Sequence, residues 1–179
     1  MKGVIFVEFL EMVESYYGNE VVDRIVAVTN AKPDRVYCVH DSYSPDEIIC
    51  LIEAVSSEVD ILASDLMKLF GEHLFRRFVI LYRSSFALRS DVFDVLENLE
   101  HDLQSKSPSL DPEWELPDFK THRVSSEILQ VSLHSRIKTP EVALGLLRGC
   151  QKYFHEELEV EIKSNNSDSS EVILILSRN

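Results

Sequence analysis

Glu100, His101 and Gln104 place a carboxylate, an imidazole and an amide within little more than one helical turn. Side chains of these types can ligate a metal or hydrogen-bond a bound molecule. The segment that carries them predicts an amphipathic helix, because its apolar positions recur at i, i+4, i+7 and i+11: Val92, Leu96, Leu99 and Leu103. Ser90 is placed to cap this helix. Whatever chemistry the chain performs depends first on these three polar residues.

The three side chains do not share one face of the predicted helix. Glu100 falls on the flank of the apolar stripe and Gln104 a little further round, whereas His101 lies roughly 180° from Val92. That position indicates a solvent-exposed surface histidine. The alternative is a local register shift that turns His101 inward, where it would serve as a ligand.

Ser132, His134 and Arg136 form a second candidate group. Residues 128–137 alternate between apolar and polar side chains, which predicts a half-buried strand with these three residues on its polar face. They either serve a binding site or simply form the solvent side of the strand. In a site, the Arg136 guanidinium is the group that can fork onto a carboxylate.

The sequence lacks the motifs that are typical of enzymes and metal centres. Cys150 with His122, His134 or His155 lacks the tight spacing of a metal site. No G-x-S-x-G, P-loop or H-E-x-x-H motif occurs in the sequence. We therefore expect no catalytic residues and no metal ligands.

Composition excludes several classes of partner. The 179 residues carry 18 Lys and Arg against 31 Asp and Glu, a net charge of −13 that disfavours nucleic acid and anionic membranes as partners.

Three scattered cysteines give no disulfide framework and suit a reducing cytosol. The apolar N-terminus is interrupted by glutamates, so it predicts a helix of the mature protein rather than a signal peptide. We expect a cytoplasmic protein.

Local signals divide the chain into a helical half and a mixed half. Residues 2–17 predict a helix that ends at Gly18. The capping box Ser44-Pro45-Asp46-Glu47 predicts the start of another, whose inward stripe is Ile48, Ile49, Ile52 and Val55. Two further helices are predicted over 60–70 and 71–82. After Pro117 the period changes to 2, with strands around 120–124 and 128–137, a helix from Glu141 and a hairpin of 158–163 with 172–177. The order predicts an α+β fold, a single domain over 1–179 with subdomains 1–85 and 86–179.

Several sequence features together resemble the heme nitric oxide/oxygen binding (H-NOX) family. They are the opening MKGVIF…YYG, AKPDRV, SPDEI, a predicted turn at Leu69-Phe70-Gly71, ELPDF at 115–119 and GLLRGCQKYFHEEL at 145–158. The resemblance covers essentially the whole chain and implies the family's fold, a helical N-terminal subdomain followed by an antiparallel sheet with a packed helix.

The resemblance implies a heme pocket whose apolar walls are present and whose polar anchors are changed. Ile5, Phe78 and Leu146 match pocket positions, and Pro117 matches the proline that presses on the porphyrin. The ligating histidine falls on Glu100 in one register and on Gln104 in the other. The family's Tyr-x-Ser-x-Arg motif, which grips the heme propionates, falls on Ser132, His134 and Arg136, so only the arginine is kept.

Two hypotheses follow from this resemblance. In the first, the chain is a cytoplasmic signalling domain without the usual heme ligation, which acts as an interaction module or senses an apolar, non-gas ligand. In the second it is a heme b sensor of NO or O2 whose axial ligand is unusual, such as His101. A third reading is a purely structural subunit. Bacterial relatives imply a histidine kinase or a cyclic-di-GMP enzyme as partner.

Overall fold

The computed structural model describes residues 1–29, 37–104, 118–134, 140–164 and 171–178. Within its helices and strands, some side chains lie outside the description: Ser84, Ser85, Glu100, Asp102, Leu103, Gln104, Asp118, His134, Ser164 and Glu171. Contacts divide the described residues into two compact units. Unit 1 holds those up to Leu74 together with Glu141–Leu146, and unit 2 holds the rest. The predicted boundary near residue 85 stays a prediction.

The chain is helical first and mixed afterwards, which confirms the predicted α+β class. The helices, in chain order, are α1 (Gly3–Tyr17), α2 (Asn19–Val28), α3 (Pro45–Val59), α4 (Ala63–Leu81), α5 (Arg83–Phe86), α6 (Val92–Gln104) and α7 (Glu141–Phe154). The strands are β1 (Asp118–Arg123), β2 (Ile128–His134), β3 (Leu158–Ser164) and β4 (Glu171–Arg178). Among the described residues, no helix combines the length and the apolar composition that crossing a bilayer requires.

Unit 1 is built around the buried faces of α1, α2, α3 and the first part of α4. Phe9 of α1 meets Phe70 of α4 edge to face, with ring centroids 5.3 Å apart. The predicted capping box is confirmed, since Ser44 and Glu47 exchange side-chain and backbone hydrogen bonds at the start of α3. The stripe predicted for α3 is confirmed at Ile48, Ile52 and Val55. It is wrong at Ile49, which is 43% exposed, and Leu51 is buried in its place.

The two predicted helices over 60–70 and 71–82 are one helix, α4. Gly71 lies in its interior, so the predicted turn at Leu69-Phe70-Gly71 is wrong. A Cβ on Gly71 would lie 2.1 Å from the Val142 carbonyl oxygen, and one on Gly145 would lie 2.1 Å from the Lys68 carbonyl oxygen. The two glycines therefore allow α4 and α7 to approach backbone to backbone, which explains a glycine where helix propensity disfavours it.

Unit 2 contains a four-stranded antiparallel sheet in the order β1-β2-β4-β3. The predicted pairing of the first two strands is confirmed: β1 pairs with β2, with Phe119 opposite Leu133 and Arg123 opposite Leu129. The predicted C-terminal strand pair is also confirmed, since β3 pairs antiparallel with β4. The pairing of β2 with β4 places β2 in the sheet interior, a long-range contact that the local pattern did not reveal.

Candidate functional site

Helix α6 carries the positions on which the predicted chemistry depends. Its N-terminal turn buries Val92, Phe93 and Val95, at 0%, 0% and 5% exposure, so the buried face is turned toward Phe93 relative to the predicted stripe. His101 is exposed, as expected from its place opposite Val92. Glu100 and Gln104 belong to α6, and their side chains lie outside the described residues.

The cap of α6 is Asp91 rather than the predicted Ser90. The Asp94 N–H donates to Asp91 Oδ1 at 2.9 Å, and the Ser90 N–H donates back to Asp94 Oδ2 at 2.9 Å. The cap therefore lies one residue after the predicted one. It fixes the start of the helix at Val92.

The predicted pocket walls fall in different units. Ile5 on α1 and Leu146 on α7 are half-buried residues of unit 1. Phe78 on α4 is buried, at 7% exposure, in unit 2. Pro117 lies outside the described residues. The assignment of these four positions to a ligand pocket stays a prediction.

The polar face of β2 is present as the alternation predicts. Leu129, Val131 and Leu133 are buried, and Ser132 between them is half-buried. His134 ends the strand with its side chain outside the described residues, and Arg136 lies outside them altogether. The use of this face as an anion site therefore stays a prediction.

The structure brings together a group at the base of α6 that sequence reasoning missed. We call it the α6 anchor, and it consists of Asp91, Phe93, Glu97, Arg123, Glu156 and Arg178. All six residues belong to unit 2.

Arg178, at the end of β4, is the central member of the α6 anchor. Its Nε donates to Glu156 Oε1 at 2.6 Å, and its Cζ lies 4.2 Å from the centre of the Phe93 ring. Its Nη2 lies 2.9 Å from Asp91 Oδ1, an ion pair whose geometry falls outside that of a hydrogen bond. The second oxygen of Glu156 accepts from the Val92 N–H at 3.0 Å, so the same carboxylate also binds the helix N-terminus.

Arg123 of β1 adds a second attachment further along α6. Its Nε and Nη2 donate to the two carboxylate oxygens of Glu97 at 2.7 and 2.6 Å, a bidentate pair. Its Cζ lies 5.0 Å from the Phe93 ring centre. Phe93, fully buried, therefore has a guanidinium within cation–π distance from each of two strands.

Charges around the α6 anchor shift several pKa values. Burial alone would raise the pKa of Asp91, but the Asp94 amide and the Arg178 charge outweigh it, so this pKa lies below its ordinary value. Partial burial lowers the pKa of Arg178, yet Glu156 and Asp91 hold it above its ordinary value. Burial, followed by the charges of Glu156 and Asp91, raises the pKa of the Cys150 thiol well above its ordinary range.

Comparison with known proteins identifies the family. The model of the Haem-NO-binding family, HNOB, matches residues 2–162. The chain belongs to this family. Comparison with curated protein sequences gives no match.

Solved H-NOX structures share the fold of this H-NOX chain. The crystal structure of the Fe(II) unliganded H-NOX protein from K. algicida is 27% identical, with a TM-score of 0.85 over 100% of this chain and 97% of that one. The H-NOX protein from S. oneidensis in the Fe(II)NO state is 21% identical, with a TM-score of 0.85 over 100% and 99% of the two chains, and this second likeness shows the fold alone. H-NOX domains are sensory and signalling domains rather than enzymes.

The residues predicted for the heme-ligand position on α6 are not histidines. They are a carboxylate, Glu100, in one register and an amide, Gln104, in the other. A neutral amide or a carboxylate is a poor ligand for ferrous heme, whereas an imidazole is a good one. The histidine that α6 does carry, His101, is exposed.

Proposed function

We propose that this chain is a regulatory interaction domain of the H-NOX family that works without histidine-ligated heme. The proposal rests on the donor set of α6. In neither register does an imidazole stand at the position that the resemblance predicts for the ligand, and His101 is exposed. Ionic and cation–π contacts of the α6 anchor also attach α6 to β1 and β4, so its place in unit 2 does not require a bond to iron.

The apolar positions support a second part of the proposal. Ile5, Phe78 and Leu146 keep the side-chain character of pocket walls although the polar anchors have changed. An apolar cavity without its cofactor either collapses or takes an apolar ligand. We propose that a ligand of this kind, with a carboxylate where Arg136 can reach it, replaces a gas as the sensed molecule.

The partner belongs to the same proposal. The resemblance to bacterial H-NOX proteins suggests a histidine kinase or a cyclic-di-GMP enzyme in the cytoplasm. A suitable test measures autophosphorylation of a purified candidate kinase with and without the full chain. A change in rate that saturates with chain concentration supports this partner, and an unchanged rate counts against it.

The absorption spectrum of protein from heme-supplemented cells tests the central claim. We expect no Soret band and far less than one heme per chain. A strong band at near one heme per chain, lost in His101→Ala but kept in the matched surface variant His122→Ala, would establish the alternative, a heme sensor with His101 as its axial ligand.

Restoring the ligand is the complementary experiment. If the pocket walls are intact and only the ligand is missing, Glu100→His or Gln104→His creates heme binding with the spectrum of an imidazole complex. Glu53→His, an exposed position on α3, is the control for a new histidine outside the predicted pocket positions. Equal heme uptake by all three variants would show that the binding is non-specific.

A further inference from the structure

A buried carboxylate of α1 and a histidine of α4 meet in unit 1. Glu8 lies on α1 and is 3% exposed, and His73 lies on α4 with a side chain that is 12% exposed. His73 Nε2 is 2.9 Å from Glu8 Oε2. Glu11, one turn further along α1, lies at the exposed rim of this group.

We propose that Glu8, Glu11 and His73 form a binding site for a divalent transition-metal cation such as Zn2+. One ligand atom from each of the three residues lies within 4.8 Å of the other two. Among the residues that the structure describes, this is the one group of three or more such side chains placed to hold a metal.

Helix geometry explains how the two carboxylates come together. Residues at i and i+3 lie on the same face of an α-helix, so Glu8 and Glu11 project from α1 side by side. The neighbouring residues Phe9 and Met12 are fully buried, which places the Glu8 carboxylate at the edge of the core. A pattern search for metal motifs misses the site because its third member is far away in the sequence.

Charge favours a divalent cation over a proton. Burial of a carboxylate is costly unless an opposite charge or a set of hydrogen bonds compensates it. A divalent cation carries two positive charges, so it compensates two carboxylates while the imidazole that ligates it stays neutral.

The ligand set selects the kind of metal. One imidazole nitrogen with two carboxylate oxygens suits Zn2+ and its first-row neighbours, whereas Ca2+ and Mg2+ prefer oxygen ligands alone. Metal bonds of about 2.0–2.2 Å give neighbouring ligand atoms a separation of roughly 3.3 Å in a tetrahedral site. The 2.9 Å between His73 Nε2 and Glu8 Oε2 must therefore open slightly, and Glu11 must swing inward.

Three protein ligands leave one tetrahedral position for water. The exposed side of the site, at Glu11, gives the cation a path from solvent. Because the imidazole must be neutral to bind a metal, the affinity decreases as the pH falls. A simple Glu8–His73 hydrogen bond, the competing explanation, predicts no metal dependence at all.

Calorimetric titration of the tag-free, chelator-treated full chain with Zn2+ tests the site. We expect one Zn2+ per chain, and an affinity reduced at least about tenfold in Glu11→Gln, since even changes of residues behind the ligands cost about 10–100-fold. Glu14→Gln, an exposed glutamate on the next turn of α1, is the matched control and keeps wild-type affinity. Co2+ as a second probe should give a visible absorption band that His73→Ala abolishes.

Thermal unfolding gives a readout that does not depend on heat of binding. At a Zn2+ concentration 100 times the dissociation constant, the folded-to-unfolded ratio should rise about a hundredfold in the wild type and in Glu14→Gln. Glu11→Gln changes only an exposed side chain, so it folds and isolates the metal effect. No binding by the wild type, or equal affinities in Glu11→Gln and Glu14→Gln, would overturn the proposal.

Discussion

Removal of the Arg178 side chain tests whether the α6 anchor stabilises the fold. The charge-assisted hydrogen bond to Glu156, at 2.6 Å, is worth about 1.5–3 kcal/mol. The ion pair with Asp91, whose side chain is 34% exposed, adds at most about 1 kcal/mol. The cation–π contact with Phe93 adds about 0.5–1 kcal/mol.

These contributions share one side chain that is 24% exposed, so they do not add fully. We expect Arg178→Ala to lower the free energy of unfolding by about 3 kcal/mol, and Tm by about 6–12 °C for a chain of this length. Arg178→Lys keeps the charge but cannot fork between two carboxylates, so about half of the loss should remain. Urea and thermal unfolding followed by far-UV circular dichroism measure both variants.

The control is an arginine with an equally short but exposed ion pair. Arg24 Nε lies 2.6 Å from Glu58 Oε1, with 51% and 34% of the two side chains exposed. Arg24→Ala should cost less than about 1 kcal/mol, because solvent screens such pairs. If Arg178→Ala costs no more than Arg24→Ala, the α6 anchor contributes nothing beyond a surface ion pair and our reasoning is refuted.

Three further predictions concern acid stability, thiol reactivity and helix packing. The lowered pKa of Asp91 stabilises the fold above the ordinary aspartate value of about 3.9, and this stabilisation is lost as the pH falls toward the lower folded value, so Asp91→Asn should flatten stability curves below about pH 4. A thiol reagent should label Cys38 and Cys50, which are exposed, in the native protein and Cys150 only after unfolding; native labelling of all three contradicts this. Gly145→Ala should cost at least about 1–3 kcal/mol in thermal melts, since its Cβ would meet backbone at 2.1 Å, and wild-type stability would contradict the close packing of α7 on α4.

Elements with a local cause were predictable from the sequence. The capping box at Ser44 needs only four consecutive residues, and Gly18, with a φ of 86°, ends α1 because glycine tolerates a positive φ. Alternation along β2 likewise predicted the burial of Leu129 and Val131. The cap of α6 was misplaced by one residue because Ser90 and Asp91 are both good caps, and only backbone geometry selects between them.

Features with a distant cause were not predictable. Gly71 suggests a turn when its neighbours alone are considered, and only the approach of Gly145 explains why it lies inside a helix. Arg178, at the end of β4, and Glu156, between α7 and β3, are far along the chain from α6, and no spacing marks them as contacts of that helix. The group of Glu8, Glu11 and His73 likewise needs α4 packed near α1 before it exists.

The α6 anchor lies in a different half of α6 from the two positions at which the resemblance predicts the heme ligand. Asp91, Phe93 and Glu97 occupy the first half of the helix, whereas Glu100 and Gln104 occupy the second. Contacts with Arg123 and Arg178 therefore fix the N-terminal half of α6 to the sheet of unit 2. None of these contacts involves Glu100 or Gln104, so a substitution at either position leaves in place the ion pairs that attach the first half of α6 to β1 and β4.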